Sequence, residues 1–351
     1  MKKVYDKLNY YLNDICNYLE RKHKFLLENI DKICKLNDDS LKILESYSFD
    51  NQTIQNSLTY DEIYCLAREI VECIDKDYLE SFDNLIQSGE LDFSYENAYS
   101  DSQCVSTYKD GEAIRQIINI NREFNYNDVI LLIHEFIHYT NGKKISKNRD
   151  FFTEFLSIYF EFYAIDYLLQ KGINKEEIDY LDRIKNLKEH STIFFQYEIV
   201  LLAYEKFGNL DENTVELLQQ YFLDVEKETF EKECTTLQNN LCIAEEINKD
   251  RIKKNPNESG HILAEEFMSY NYKYILGTFL ALYAREYSNF NDVVNLNNHI
   301  NELNDKTIYG ICLSIGIDLN DENFVQKLFD SMKEYINAKQ FESAKLIKKL
   351  N

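Results

Sequence analysis

From Asn127 to His138 the chain reads N-D-V-I-L-L-I-H-E-F-I-H, an apolar run whose spacing is helical and which predicts a largely buried helix. A second helical segment, rich in Phe, Leu, Ile and Tyr, runs from Arg149 to Gly172. Gly142 and Gly172 read as helix stops, with a polar loop from Lys143 to Asn148 between the two helices. The stretch Ala113 to Asn121 differs in kind. It is β-branched, partly alternating, and preceded by the turn signal Lys109-Asp110-Gly111, so it predicts one strand of a small sheet with Gln103 to Tyr108 as partner. Upstream, Asp61 to Leu85 is amphipathic in the helical period, and at Gln87-Ser88-Gly89-Glu90 that period gives way to extended residues. Residues 1–88 are therefore expected to form an N-terminal helical lobe and residues 89–351 the main body.

Composition sharpens the fold class. One proline and nine glycines in 351 residues, with abundant Leu, Ile, Glu and Lys, predict a mainly α protein with a small β-sheet, two helical lobes around a cleft. No internal repeat or Pro/Gly/Ser-rich linker interrupts the chain. The net charge of −22 argues against nucleic acid or an anionic membrane as partner and is compatible with cationic peptides. Eight cysteines form no C-x-x-C pair and read as reduced thiols. The N-terminus lacks the apolar core of a secretory signal. The longest apolar run, Tyr274 to Ala284, falls short of the ~18 residues of a membrane span. A cytoplasmic location is expected.

Candidate chemistry concentrates in the first apolar helix. His134 and His138, two of the six histidines, flank Glu135 in an H-E-x-x-H pattern. Four helical residues advance ~6 Å and return to nearly the same side, so both imidazoles can reach one ion. A buried His-Glu-His cluster is costly without compensation, and a divalent cation supplies it. Zinc in a hydrolytic site usually takes a third protein ligand and leaves one position for water. If the following helix returns antiparallel, its first turns approach His138, and Glu154, Ser157 and Glu161 share one face at i, i+3 and i+7. Glu154 is the candidate third ligand. Glu161, with Ser157 beside it, is placed to hydrogen-bond a ligand histidine and fix its tautomer. His23, His190 and His299 sit in polar sequence and read as surface residues.

These blocks resemble the zinc-dependent oligopeptidases, the family of oligoendopeptidase F and thimet oligopeptidase. The likeness takes in the extended segment Ala113 to Asn121, the H-E-x-x-H helix, and Glu154 followed seven positions on by Glu161. It continues through His261 and the run Tyr270-Asn-Tyr272-Lys-Tyr274-Ile-Leu-Gly277, then Tyr309 to Asp318 and Glu322 to Phe324, and spans roughly residues 90–345. The His138 to Glu154 spacing is shorter than the family usually shows, His261 lies further from the tyrosines, and the N-terminal part is much reduced.

The resemblance implies a zincin-like, glutamate-ligand metallopeptidase with one Zn2+ per chain, cutting short peptides with a zinc-activated water. Glu135 is then the general base, and His261 with Tyr274, or Tyr270 on the same helix face, the donors to the developing oxyanion. Tyr272, on the other face, is a candidate substrate contact. The strand bearing Gln116, Ile118 and Asn119 could, at a sheet edge, pair with an extended substrate through main-chain hydrogen bonds; the alternative is a strand wholly satisfied inside its own sheet. Two alternatives remain open: a non-catalytic helical module that binds a peptide or protein and retains the metal site, and a glutamate-ligand zinc aminopeptidase.

Overall fold

The computed structural model describes residues 1–49, 57–93, 102–144, 149–218, 226–254, 270–303 and 305–337. It is mainly helical, with a single three-stranded sheet among the described residues. The chain divides into two compact units, one made of Met1–Ser48 with Asn186–Ile275 and the other of Phe49–Lys185 with Leu276–Asn351.

In the first unit, α1 (Lys2–Lys22), which α2 (Lys24–Glu28) and α3 (Ile30–Glu45) follow, buries Leu8, Leu12, Ile15 and Leu19, a stripe at i, i+4, i+7 and i+11. The helix Lys227–Ile247 answers it with Phe230, Cys234, Leu237 and Leu241 at the same spacing, and the two helices pack together. All eight cysteines are free thiols. No described helix is long and apolar enough to cross a membrane.

The second unit carries the sheet, in which β1 (Leu91–Asp92) runs parallel to β3 (Glu112–Asn119) and β2 (Gln103–Lys109) runs antiparallel to it. The β2–β3 connection is the expected two-residue turn, with Asp110 at φ 54° and Gly111 at φ 84°. Strand order is β1-β3-β2, so β3 lies between the other two, inside its own sheet and not at the edge that substrate pairing would need. The reason is β1. At two residues it is too short to leave a strand pattern in the sequence, yet it takes up the far side of β3 at Ile118 and Asn119.

Helix α4 (Tyr60–Ile74) opens with a full capping box between Thr59 and Glu62 and buries Ile63, Ala67, Ile70, Val71 and Ile74. It packs on α6 (Tyr126–Asn141), and with α5 (Tyr78–Ser88) it belongs to the unit that holds the sheet. The shift at Gln87–Glu90 is thus one of secondary structure. Helix α5 stops at Gly89, with φ 70°, and β1 follows directly.

Helix α6 is anchored at both ends. The Asn125 side chain accepts from the Asn127 N–H at 2.8 Å, and the buried Asp128 carboxylate accepts from the N–H groups of Glu123 and Phe124 at 3.0 and 2.7 Å. At the other end Gly142 stands where a Cβ would lie 2.4 Å from Gln116 Nε2, which itself donates to Tyr139 O at 3.0 Å. Glycine ends this helix for lack of room. Helix α7 (Arg149–Gln170) packs along α6 and is enclosed on every side from Phe155 to Ile165, as its all-round apolar composition requires.

Candidate metal centre

Helices α6 and α7 bring His134, His138 and Glu154 to one point, with one ligand-type atom from each within 4.8 Å of the others. The Nε2 atoms of the two histidines lie 2.8 Å apart, and Glu154 Oε2 lies 3.7 Å from each. The two rings meet edge to face with centroids 4.5 Å apart, as i and i+4 residues on one helix face must. Glu154 Oε2 is buried and has no hydrogen-bond partner. A proton between the imidazoles would satisfy that pair and leave the carboxylate oxygen bare. A tetrahedral zinc ion with bonds of about 2.0–2.2 Å holds its donor atoms about 3.3–3.6 Å apart, between the two separations observed here. The residues present fit a zinc ion.

Behind the cluster, Glu161 lies two turns along α7 from Glu154. Its Oε1 contacts His134 Nδ1, and its Oε2 is held by the Nε of Arg183, which stands in the first turn of α8 (Asp182–Phe207). Glu161 and His134 are buried, whereas His138 and Glu154 keep partial exposure. With a carboxylate against Nδ1, the His134 proton belongs there and the Nε2 lone pair faces Glu154 and His138. Burial and the Arg183 charge hold His134 well below the usual histidine range. Burial raises Glu161 to about 7 against the pull of Arg183.

Glu135 points to another side of α6. Burial, then the Glu154 and Glu161 charges, raise its carboxyl to about 8, opposed by Arg183 and by a hydrogen bond from the Cys104 backbone N–H. Strand β2 therefore lies against Glu135. Among the described residues β2 pairs only with β3 inside the sheet, so its other edge is the one turned toward the base.

Gln116 is buried and committed to Tyr139 O and Ser106 Oγ, Ile118 is core, and Asn119 pairs with both β1 and β2. Ser157 donates back to Thr153 O and Glu154 O at 3.0 and 3.2 Å. His261 lies outside the described residues. Tyr270 opens the helix Tyr270–Tyr287, and only its backbone is described. Tyr272 is buried, while Tyr274 stacks on His190 with centroids 4.6 Å apart, and His190 Nδ1 lies 2.9 Å from Asn271 Oδ1. Two residues went unread in the sequence. Arg183 sits in the polar run Asp182-Arg183-Ile184-Lys185, which looks like a solvated helix start; the one signal was that a buried Glu161 needs a cation. Gly277 was read only as part of the tyrosine run, yet a Cβ there would stand 3.0 Å from Phe155 N and 3.1 Å from Glu154 Cβ.

No protein-family model and no curated protein matches the chain. A solved structure from Bacillus anthracis str. Ames, provisionally named oligoendopeptidase F, aligns over 93% of this chain and 56% of its own length, at 16% identity and a TM-score of 0.47. The chain thus spans little more than half of that structure, and a likeness this remote identifies neither a family nor an activity.

Proposed function

We propose that the chain is a zinc-dependent peptidase acting on short peptides, with His134, His138 and Glu154 as metal ligands and Glu135 as general base. One observation carries this reading: Glu154 Oε2, buried and without a hydrogen-bond partner, faces two imidazole nitrogens at 3.7 Å on the helix that also bears Glu135. Zinc bound there would supply a water acidified to a pKa of about 7. Glu135 is raised to about 8, and the charge of a bound zinc would favour its carboxylate form, in which it takes the proton of the attacking water and passes it to the leaving amine. An extended peptide adding to the outer edge of β2 would run past the Glu135 carboxylate, held through its main chain and with little demand on side chains. The net charge of −22 favours cationic peptides. His261 and Tyr274, with Tyr270 as the second choice, are the proposed donors to the oxyanion, and the eight free thiols support a reducing, cytoplasmic setting.

Metal analysis of the purified protein, paired with mass spectrometry of a digest of defined peptides of graded length, tests the reading. Glu135→Gln should keep the metal and lose on the order of a hundredfold or more in turnover. Bound zinc with no cleavage of any peptide would point instead to a binding module, and trimming strictly from free N-termini to an aminopeptidase.

A further inference from the structure

Arg183 is fixed in place from both sides before it reaches Glu161. The segment leading into α8 is tied down at Tyr180, whose carbonyl accepts from the Tyr335 hydroxyl at 2.7 Å. One residue earlier, the Asp179 N–H donates to Asn127 Oδ1 at 3.3 Å in the first turn of α6, and the Asp179 carboxylate holds Lys185 Nζ at 2.6 Å. The first turn of α8 is thereby registered against the start of the helix that carries His134 and His138. From that footing the largely enclosed Arg183 side chain engages one oxygen of Glu161 and leaves the other to His134.

This division has a mechanical consequence. With a guanidinium on one oxygen and an imidazole nitrogen in contact with the other, the carboxylate has little room to turn about its last bond, so its plane is set. The His134 ring follows, because Nδ1 must meet Oε1, and its Nε2 is then aimed at the point it shares with His138 and Glu154. A planar guanidinium can hold a carboxylate in this way; a lysine ammonium, a point charge on a flexible stem, supplies the charge without the orientation.

We infer that Arg183 is a positioning residue for the metal ligand His134, acting through Glu161. The inference rests on the metal reading proposed above. Groups that orient a ligand histidine are typically worth 10–100-fold in metal affinity, so Arg183 should register there although it lies two residues removed from the ion.

The test measures Zn2+ affinity of the full chain by competition with a chelating dye, with Co2+ absorption as a second readout of ligand geometry. It compares wild type, Arg183→Gln, Arg183→Lys, Glu161→Gln and the double variant Glu161→Gln/Arg183→Gln. Arg183→Gln should bind zinc about 10–100-fold more weakly and alter the Co2+ spectrum, with Arg183→Lys intermediate. In the Glu161→Gln background the arginine change should cost less than about threefold, since its route to the histidine is already cut. An Arg183→Gln protein binding zinc within about twofold of wild type, or losing as much affinity with Gln at position 161 as with Glu, overturns the inference. Should Arg183→Gln fail to fold, Arg183→Lys, which keeps the charge, takes its place: affinity within about twofold of wild type overturns the inference, and a loss of about threefold or more that disappears in the Glu161→Gln background supports it. A wild-type protein that takes up no zinc refutes the metal reading and this inference together; one that binds zinc with Arg183→Gln unaffected refutes this inference alone.

Discussion

Glu161 and Glu198 are both shut away from solvent on long helices, the first among Phe160, Phe162 and Tyr163 in one unit, the second among Tyr197, Ile199 and Val200 in the other. What meets their carboxylates differs. Glu161 has a guanidinium on one oxygen and an imidazole nitrogen on the other. At Glu198 the partner is the neutral side chain of Asn37. Burial raises Glu198 well above the carboxylate range, while Arg183 restrains the rise at Glu161 to about 7. A buried acid served only by an amide is comfortable as a neutral group. One served by a cation and a histidine is built to orient something, and that partner set, more than burial itself, separates a site residue from a core residue.

Removing the carboxylate should expose the contrast most strongly. Glu161→Ala leaves the Arg183 guanidinium enclosed without its partner, and denaturant unfolding of the metal-free protein should show a loss of about 3–5 kcal/mol. Gly277→Ala attacks the same site from outside. A methyl group there meets backbone at Phe155 and the Cβ of Glu154, neither of which can swing aside, so the helices must separate. The expected cost is about 1–3 kcal/mol in stability, together with weaker zinc binding as Glu154 shifts.

Glu198→Gln should have the smallest effect and the opposite sign. Because the folded protein raises Glu198 above its unfolded value of 4.5, the stability it contributes is full below that pH and is lost as pH rises toward the folded value. The glutamine variant escapes that loss. Its melting temperature should exceed that of wild type at pH 7, with the advantage gone near pH 4 and zinc affinity unchanged throughout. A variant less stable than wild type at pH 7 would mean that the Glu198 carboxylate is charged and well served in the core.

Much of the site was legible because it is written in local periods. The i, i+4 spacing of His134 and His138 and the i, i+7 spacing of Glu154 and Glu161 follow from helical geometry, and Gly142 and Gly172 marked where the two helices stop. The parts that escaped depend on distant contacts. A two-residue β1 carries no pattern of its own, so β3 could be read as an edge and β2 as a mere partner, when β2 is the strand against Glu135. Arg183 lies 22 residues from Glu161 in a charged stretch, and nothing local distinguishes it from a surface arginine. Gly277 matters for the backbone it touches, which no spacing rule announces. The turn from helix to strand at Gly89 was visible; that α4 would pack on α6 was not, since an amphipathic face shows that something covers it and not what.

The central claim is that His134, His138 and Glu154 together hold one divalent ion. Anomalous diffraction at the zinc edge, on crystals grown with Zn2+, tests it most directly. The account predicts a single strong peak about 2.0–2.2 Å from His134 Nε2, His138 Nε2 and a Glu154 carboxylate oxygen, with Glu161 still on His134 Nδ1. A map with no peak there, or a zinc ion held by the histidines with Glu154 turned away, would contradict it.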